Sequence, residues 1–188
     1  MNFNDAKGSA ELVLLANQVP LLVGETGIGK TSLARKIAES QGWDLVVIDG
    51  NLLKEGEIGG LPTVQQVTKT DEHGLAKQES ITVYAVHHTL HAMDQAAAQG
   101  KTVLLFIDEI NRCEHSVQQE LMNLILNREI NGDRLPNSVR IMAAMNPENE
   151  FEYQTVDMDS AQKNRFVWLY MEADYMQWLD WAMEAGME

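Results

Sequence analysis

Gly24-Glu25-Thr26-Gly27-Ile28-Gly29-Lys30-Thr31 fits the spacing G-x-x-x-x-G-K-[ST], and it stands between an apolar run and a run of helical periodicity. Upstream, Val19-Pro20-Leu21-Leu22-Val23 is short and apolar, as a buried strand is; downstream, Leu33, Ala34, Ile37 and Ala38 recur at helical steps. Strand, glycine loop and helix in that order make a phosphate-binding loop. The glycines let successive backbone N–H groups curl around a polyphosphate, and the helix N-terminus adds a partial positive charge. Lys30 reaches the terminal phosphates and the Thr31 hydroxyl is placed to ligate Mg²⁺. The candidate phosphate-binding set runs from Gly24 through Glu25, Thr26, Gly27, Ile28, Gly29, Lys30 and Thr31 to Ser32.

Beyond this helix, Gly42 reads as a stop signal and Leu45-Val46-Val47-Ile48 as a second buried strand ending at Asp49-Gly50. Residues 54–80 carry Gly56, Gly59, Gly60, Pro62 and Gly74 around a β-prone Val64-Gln65-Gln66-Val67-Thr68, the pattern of an inserted loop or hairpin. Val83, Val86, Leu90, Met93 and Ala97 then recur at helical spacing up to Gly100. Val103-Leu104-Leu105-Phe106-Ile107 is the clearest buried strand, and it ends in Asp108-Glu109. Ser116 with Gln119 has the form of a capping box for the helix bearing Val117, Leu121 and Leu124. Asn131-Gly132 predicts a tight hairpin turn. Arg140-Ile141-Met142-Ala143-Ala144-Met145 is a further strand ending at Asn146-Pro147, and Phe166-Val167-Trp168-Leu169-Tyr170 is another. Asp174 with Gln177 caps a last helix whose Trp178, Leu179, Trp181 and Met183 form a broad apolar surface, either core packing or a contact for a partner. Five strands with intervening helices predict one α/β domain with a mainly parallel sheet.

Acidic residues outnumber basic ones 28 to 14, a formal charge of −14, so the chain has no general electrostatic grip on nucleic acid. The single cysteine, Cys113, forms no internal disulfide. With no secretion signal or membrane span at the N-terminus, the expectation is a cytoplasmic protein with no membrane contact. His87 and His91 have the spacing of some zinc pairs, but no further ligand cluster accompanies them, and His73, His88 and His115 read as ordinary surface residues.

Ligands of open parallel sheets lie beyond the carboxyl ends of the strands. Asp108 stands where a strand-end carboxylate holds Mg²⁺, Glu109 where one orients or deprotonates water, and Asn146 where an amide meets water and γ-phosphate. Phosphate loop, strand ending in Asp-Glu and strand ending in Asn together resemble the AAA+ ATPases, whose third element is called sensor 1. Within them, Phe106-Ile107-Asp108-Glu109-Ile110-Asn111-Arg112, Asn146-Pro147 and Ala161-Gln162-Lys163-Asn164-Arg165-Phe166 are similar to the MoxR branch, of dynein-related type. Asn164 stands where that branch often has aspartate, and Cys113-Glu114-His115 lacks its usual prolines.

The resemblance implies a P-loop NTPase fold, a three-layer α/β/α sandwich with an insertion at its second helix (about Ile58 to Val83) and a hairpin before sensor 1. It implies ATP binding and Mg²⁺-dependent hydrolysis to ADP in a homo-hexamer, used to remodel a partner protein such as one with a von Willebrand factor A domain. Arg165 is its candidate for an arginine acting across the subunit junction, Arg112 the second. The family continues into a helical lid with a sensor 2 arginine; no residue up to Glu188 is assigned to it, so residues 1–188 are read as the nucleotide-binding core alone. Other readings are a motor subunit similar to the McrB-type GTPases of nucleic-acid-processing complexes, a small-molecule P-loop kinase, and a nucleotide-gated binding module.

Overall fold

The computed structural model describes residues 1–70, 76–85, 87–147, 158 and 160–184. It opens with a helix that the sequence reading did not anticipate, α1 (Phe3–Leu15), started by Asn2, whose side chain accepts from the Asp5 amide at 2.9 Å. Ala6, Ala10 and Leu14, four residues apart, bury one stripe of it. The fully buried β1 (Pro20–Val23) leads through the glycine loop to α2 (Lys30–Gln41), which stops at Gly42 in the left-handed conformation, φ 67°. β2 (Asp44–Asp49) follows.

Within the stretch 54–80 begins an antiparallel pair, β3 (Pro62–Thr70) against β4 (Ala76–Tyr84), standing in the connection from β2 to α3 (His88–Ala98). Val83 is thus a strand residue, paired with Thr63, and not the first turn of a helix. Ile81-Thr82-Val83 is β-branched throughout and has a partner strand to pair with, which outweighs its chance match to helical spacing. Val86, His73 and Gly74 lie outside the described residues.

Next come β5 (Val103–Asp108) and α4 (His115–Asn127). Glu114 holds the N-cap position of α4 without a side-chain bond, so Ser116 lies inside the helix and the anticipated capping box does not form. The small hairpin β6 (Glu129–Ile130) and β7 (Asp133–Arg134) turns at Asn131-Gly132 with φ of 49° and 94°, as a type I′ turn requires. β8 (Val139–Met145), α5 (Ser160–Lys163), β9 (Val167–Tyr170) and α6 (Tyr175–Glu184) complete the chain. Asp174 caps α6 as anticipated, accepting from the amides of Met176 (3.0 Å) and Gln177 (3.2 Å). Ala182 is buried, while Trp178 and Met183 are exposed; the Trp181 side chain lies outside the described residues.

The main sheet has five strands in the order β2-β5-β8-β1-β9, every pair parallel. Alternation along the strands splits the core in two. Leu21, Leu105, Ile107 and Ala143 face a cluster with Leu90 and Met93 of α3 and Val117 and Leu121 of α4. Leu22, Leu104, Phe106 and Ala144 face Ala10 and Leu14 of α1 and Leu33 and Ile37 of α2. Helices on both faces of a parallel sheet make the three-layer sandwich, with strands apolar on both sides.

Candidate functional site

The register aligns the strand ends that carry polar residues: Val23 pairs with Met145, and Ile107 with Ala143. Gly24 and Asn146 therefore follow β1 and β8 at one level, and Asp108-Glu109 close β5 just below it. Gly24 is packed so closely that a Cβ would come within 2.2 Å of Ile28 Cδ1 and 3.0 Å of the Met171 carbonyl. Gly29, at φ 94°, brings the loop into the first turn of α2.

Lys30 leaves that turn pointing back into the loop. Its Nζ donates to the carbonyls of Gly24 (2.7 Å) and Glu25 (2.9 Å) and to Asn146 Oδ1 (2.9 Å). Burial pulls the Lys30 ammonium below its ordinary pKa; the carboxylates of Asp108 and Glu109 oppose that shift and Arg112 adds to it. The Thr31 hydroxyl donates to Asp108 Oδ2 at 2.6 Å, and the other oxygen of Asp108 accepts from the Glu109 amide at 3.0 Å. Glu109 Oε1 accepts from Asn146 Nδ2 at 3.4 Å and from Arg112 Nη1 at 2.9 Å. Around these groups lies a cleft of about 300 Å³, lined by Lys30, Thr31, Ser32, Asp108, Glu109 and Asn146 with the loop residues Thr26, Gly27 and Gly29.

Nine of the anticipated site residues, Thr26, Gly27, Gly29, Lys30, Thr31, Ser32, Asp108, Glu109 and Asn146, thus line one cleft. Arg165 does not join them. It is exposed and precedes β9, at the amino end of the sheet; Asp157 and Asp159, its conceivable partners, lie outside the described residues. Arg112 is engaged within its own chain by Glu109.

The donors fit a magnesium–polyphosphate. A hydroxyl and a carboxylate meeting at 2.6 Å supply two hard oxygens at one point, and a buried ammonium lies in the same cleft, the balance expected where phosphate oxygens complete the coordination. Among the described residues no cluster of three or more His, Cys, Asp or Glu forms a self-sufficient metal cage. The histidines add none: His87 is the N-cap of α3, Nδ1 accepting from the Thr89 amide at 3.3 Å, and His91 Nε2 lies 3.0 Å from the side-chain nitrogen of Gln95. Burial lowers the His87 pKa, with His88 adding and Glu57 opposing.

Two residues that shape the site were not assigned roles from sequence. Asn111, buried, donates from Nδ2 to the Asn146 carbonyl at 3.0 Å and so ties the end of β8 to the turn after β5. Gly50 donates its amide to the Asp108 carbonyl at 2.9 Å, in a position where a Cβ would lie 3.0 Å from the Glu109 carbonyl. The strand-end Asp-Gly after β2 was the available signal, but which strand neighbours β5 is a property of topology.

The AAA domain (dynein-related subfamily) family matches residues 20–166. No curated protein matches the chain. Among solved structures, a Cytophaga hutchinsonii protein described as a candidate ATPase is 18% identical, with a TM-score of 0.61 over 98% of this chain and 54% of its own. The Thermotoga maritima RuvB P216G mutant is 19% identical, with a TM-score of 0.58 over 98% of this chain and 51% of its own. NtrX from Brucella abortus is 16% identical, with a TM-score of 0.57 over the whole of this chain and 43% of its own. The chain spans about half the length of these structures, and at such identities the likeness is one of fold. Among the described residues, no helix is long and apolar enough to cross a membrane.

Proposed function

The chain belongs to the AAA domain family, dynein-related subfamily, and from that premise we propose that it binds ATP with Mg²⁺, hydrolyses it to ADP and phosphate, and uses the cycle to remodel or activate a partner protein. One observation carries this reading: Lys30, Asn146 and Glu109 form a continuous chain of hydrogen bonds from the first turn of α2 across the ends of β8 and β5, beside the Thr31–Asp108 pair. A simple nucleotide-binding loop needs only Lys30 and Thr31. A carboxylate and an amide held in the same cleft supply what water attack on a phosphoryl group requires besides positioning.

In this reading the loop amides from Gly24 to Ser32 and the Lys30 ammonium hold the phosphates, releasing Lys30 from its present partners. Thr31 and Asp108 hold Mg²⁺, which neutralises charge developing on the phosphate oxygens. Glu109 accepts a proton from the attacking water, and Asn146 donates its amide toward the γ-phosphate. Arg165 serves the site of a neighbouring copy in a homo-hexamer of the MoxR kind. That branch also supplies the companion, a protein with a von Willebrand factor A domain.

Glu109→Gln tests the assignment. It keeps the size and hydrogen-bonding of the side chain but removes the base, so ATP binding stays within about twofold while phosphate release falls by roughly 10²–10⁴-fold. Near-normal release would sink the role given to Glu109. Running the wild-type assay with ATP and GTP in parallel separates this reading from a McrB-like GTPase.

A further inference from the structure

Resting on that reading, we propose that Arg112 is a positioning residue that acts within its own chain, holding the Glu109 carboxylate off Lys30 and in place for water. The turn after β5 builds the contact. Glu109 takes a left-handed φ of 51°, uncommon for a residue with a side chain, and its carbonyl accepts from the Arg112 amide at 2.9 Å. The amide of Ile110 is anchored to the Ala144 carbonyl on β8 at 3.1 Å. So fixed, the turn brings residues three apart face to face, and Arg112 Nη1 meets Glu109 Oε1 at 2.9 Å with the side chains only 17% and 23% exposed. A partly buried, charge-assisted hydrogen bond has a defined direction, unlike a solvated surface pair.

The need for such a restraint is electrostatic. Two cations lie near Glu109: Arg112, in contact with it at 2.9 Å, and Lys30, which lines the same cleft. A flexible carboxylate released from Arg112 would turn toward Lys30, which the phosphates need. Instead, the two side-chain donors that reach the Glu109 carboxylate among the described residues, Arg112 Nη1 and Asn146 Nδ2, converge on Oε1. Asn146 Oδ1 meanwhile remains bonded to Lys30, so each cation has its own acceptor.

Two measurements test this. In nucleotide-free protein, thermal unfolding of Arg112→Ala, Glu109→Ala and the double variant reads the contact itself: the double variant melts no lower than the poorer single variant. Additive losses would overturn the contact. In steady-state phosphate release, Arg112→Ala lowers kcat by about tenfold, with KM and the dissociation constant of ATP changed by less than about twofold, and Arg112→Lys recovers part of the loss. Arg112→Gln, which keeps length and a donor without charge, carries the test if the alanine variant does not fold. An unchanged kcat, or a loss confined to KM, overturns the proposal. So does recovery of activity on mixing Arg112→Ala with Glu109→Gln subunits, which would mean that the arginine reaches a neighbour. A wild type that fails to hydrolyse ATP would instead refute the functional reading beneath it.

Discussion

Gly50→Ala adds one methyl group at the back of the site, out of reach of any nucleotide contact assigned above. Gly50 follows β2, its φ is not among the left-handed ones, and alanine is therefore compatible with its backbone. The obstacle is steric. The new Cβ would lie 3.0 Å from the Glu109 carbonyl oxygen and 3.1 Å from that of Asp108, where ordinary contact begins at 3.4 Å. Relief requires a shift of about 0.3–0.4 Å in the peptides that carry the metal ligand and the base. If a misplacement of about 1 Å costs roughly 100-fold in rate, this shift costs about four- to sixfold in kcat. Overpacking of this kind destabilises by about 1 kcal/mol, or roughly 2–4 °C in melting temperature for a chain of this length. The Lys30 loop sits on another strand, so the dissociation constant of ATP stays within about twofold of wild type. The assays are phosphate release under saturating ATP, nucleotide titration by fluorescence, and a thermal melt. Wild-type kcat, or an affinity loss matching the rate loss, would refute the view that β2 sets the position of Asp108 and Glu109.

Cys113 gives an alkaline signature. Its thiol is buried, donates to the Ile110 carbonyl at 3.0 Å, and is pushed up from 9.0 to about 11. Because the folded state keeps a proton that the unfolded chain releases, this contribution is whole below about pH 9 and lost as pH rises to about 11, an amount on the order of 2–3 kcal/mol. Urea melts of wild type and Cys113→Ala at pH 8 and pH 10.5 are expected to converge at the higher pH; a constant gap would contradict the burial argument. Arg165→Ala is expected to leave ATP affinity within about twofold while lowering turnover by roughly 10³-fold or more. Mixing it with Glu109→Gln subunits restores part of the activity, and absence of recovery would count against a role across the junction.

The sheet was legible because each central strand is an unbroken apolar run bounded by a glycine, an acidic pair or Asn-Pro, and the glycine loop announces its function in its spacing. What escaped depended on neighbours. α1 has an Asn cap and a stripe of Ala6, Ala10 and Leu14, but small residues at four-residue spacing give little apolar contrast against Gly8 and Ser9. Val83 matched a helical period by chance because the run beside it had no visible pairing partner until Thr63 was set opposite. Glu114 displaced Ser116 at the start of α4 because a cap is fixed by where the turn after β5 releases the chain, which local spacing does not encode. The site followed the same division: Asp108, Glu109 and Asn146 were readable as strand ends, whereas Gly50, Asn111 and the Arg112–Glu109 pair exist only once β2, β5 and β8 lie side by side.

Parallel topology also constrains how the proposed assembly would work. Every strand of the main sheet runs the same way, so all phosphate-handling groups leave at its carboxyl edge and Arg165 at its amino edge. Val167–Tyr170 pairs in register with Pro20–Val23, and those four residues alone set the level of Arg165 about 13 Å or more below that of the loop at Gly24. An arginine so placed, with its backbone amide bonded back to the Gln162 carbonyl at 3.1 Å, has no path to its own cleft. If it meets a phosphate, the phosphate belongs to another copy. In a twofold dimer such a contact would be made twice, each arginine at the other copy's cleft, whereas in a ring the flank of Arg165 meets a neighbour's cleft once per junction and joins two different patches. Contacts of that head-to-tail kind repeat until rotation closes a ring or a filament grows. The arginine and an assembly therefore stand or fall together: a chain that is active as a monomer leaves Arg165 with no phosphate to meet.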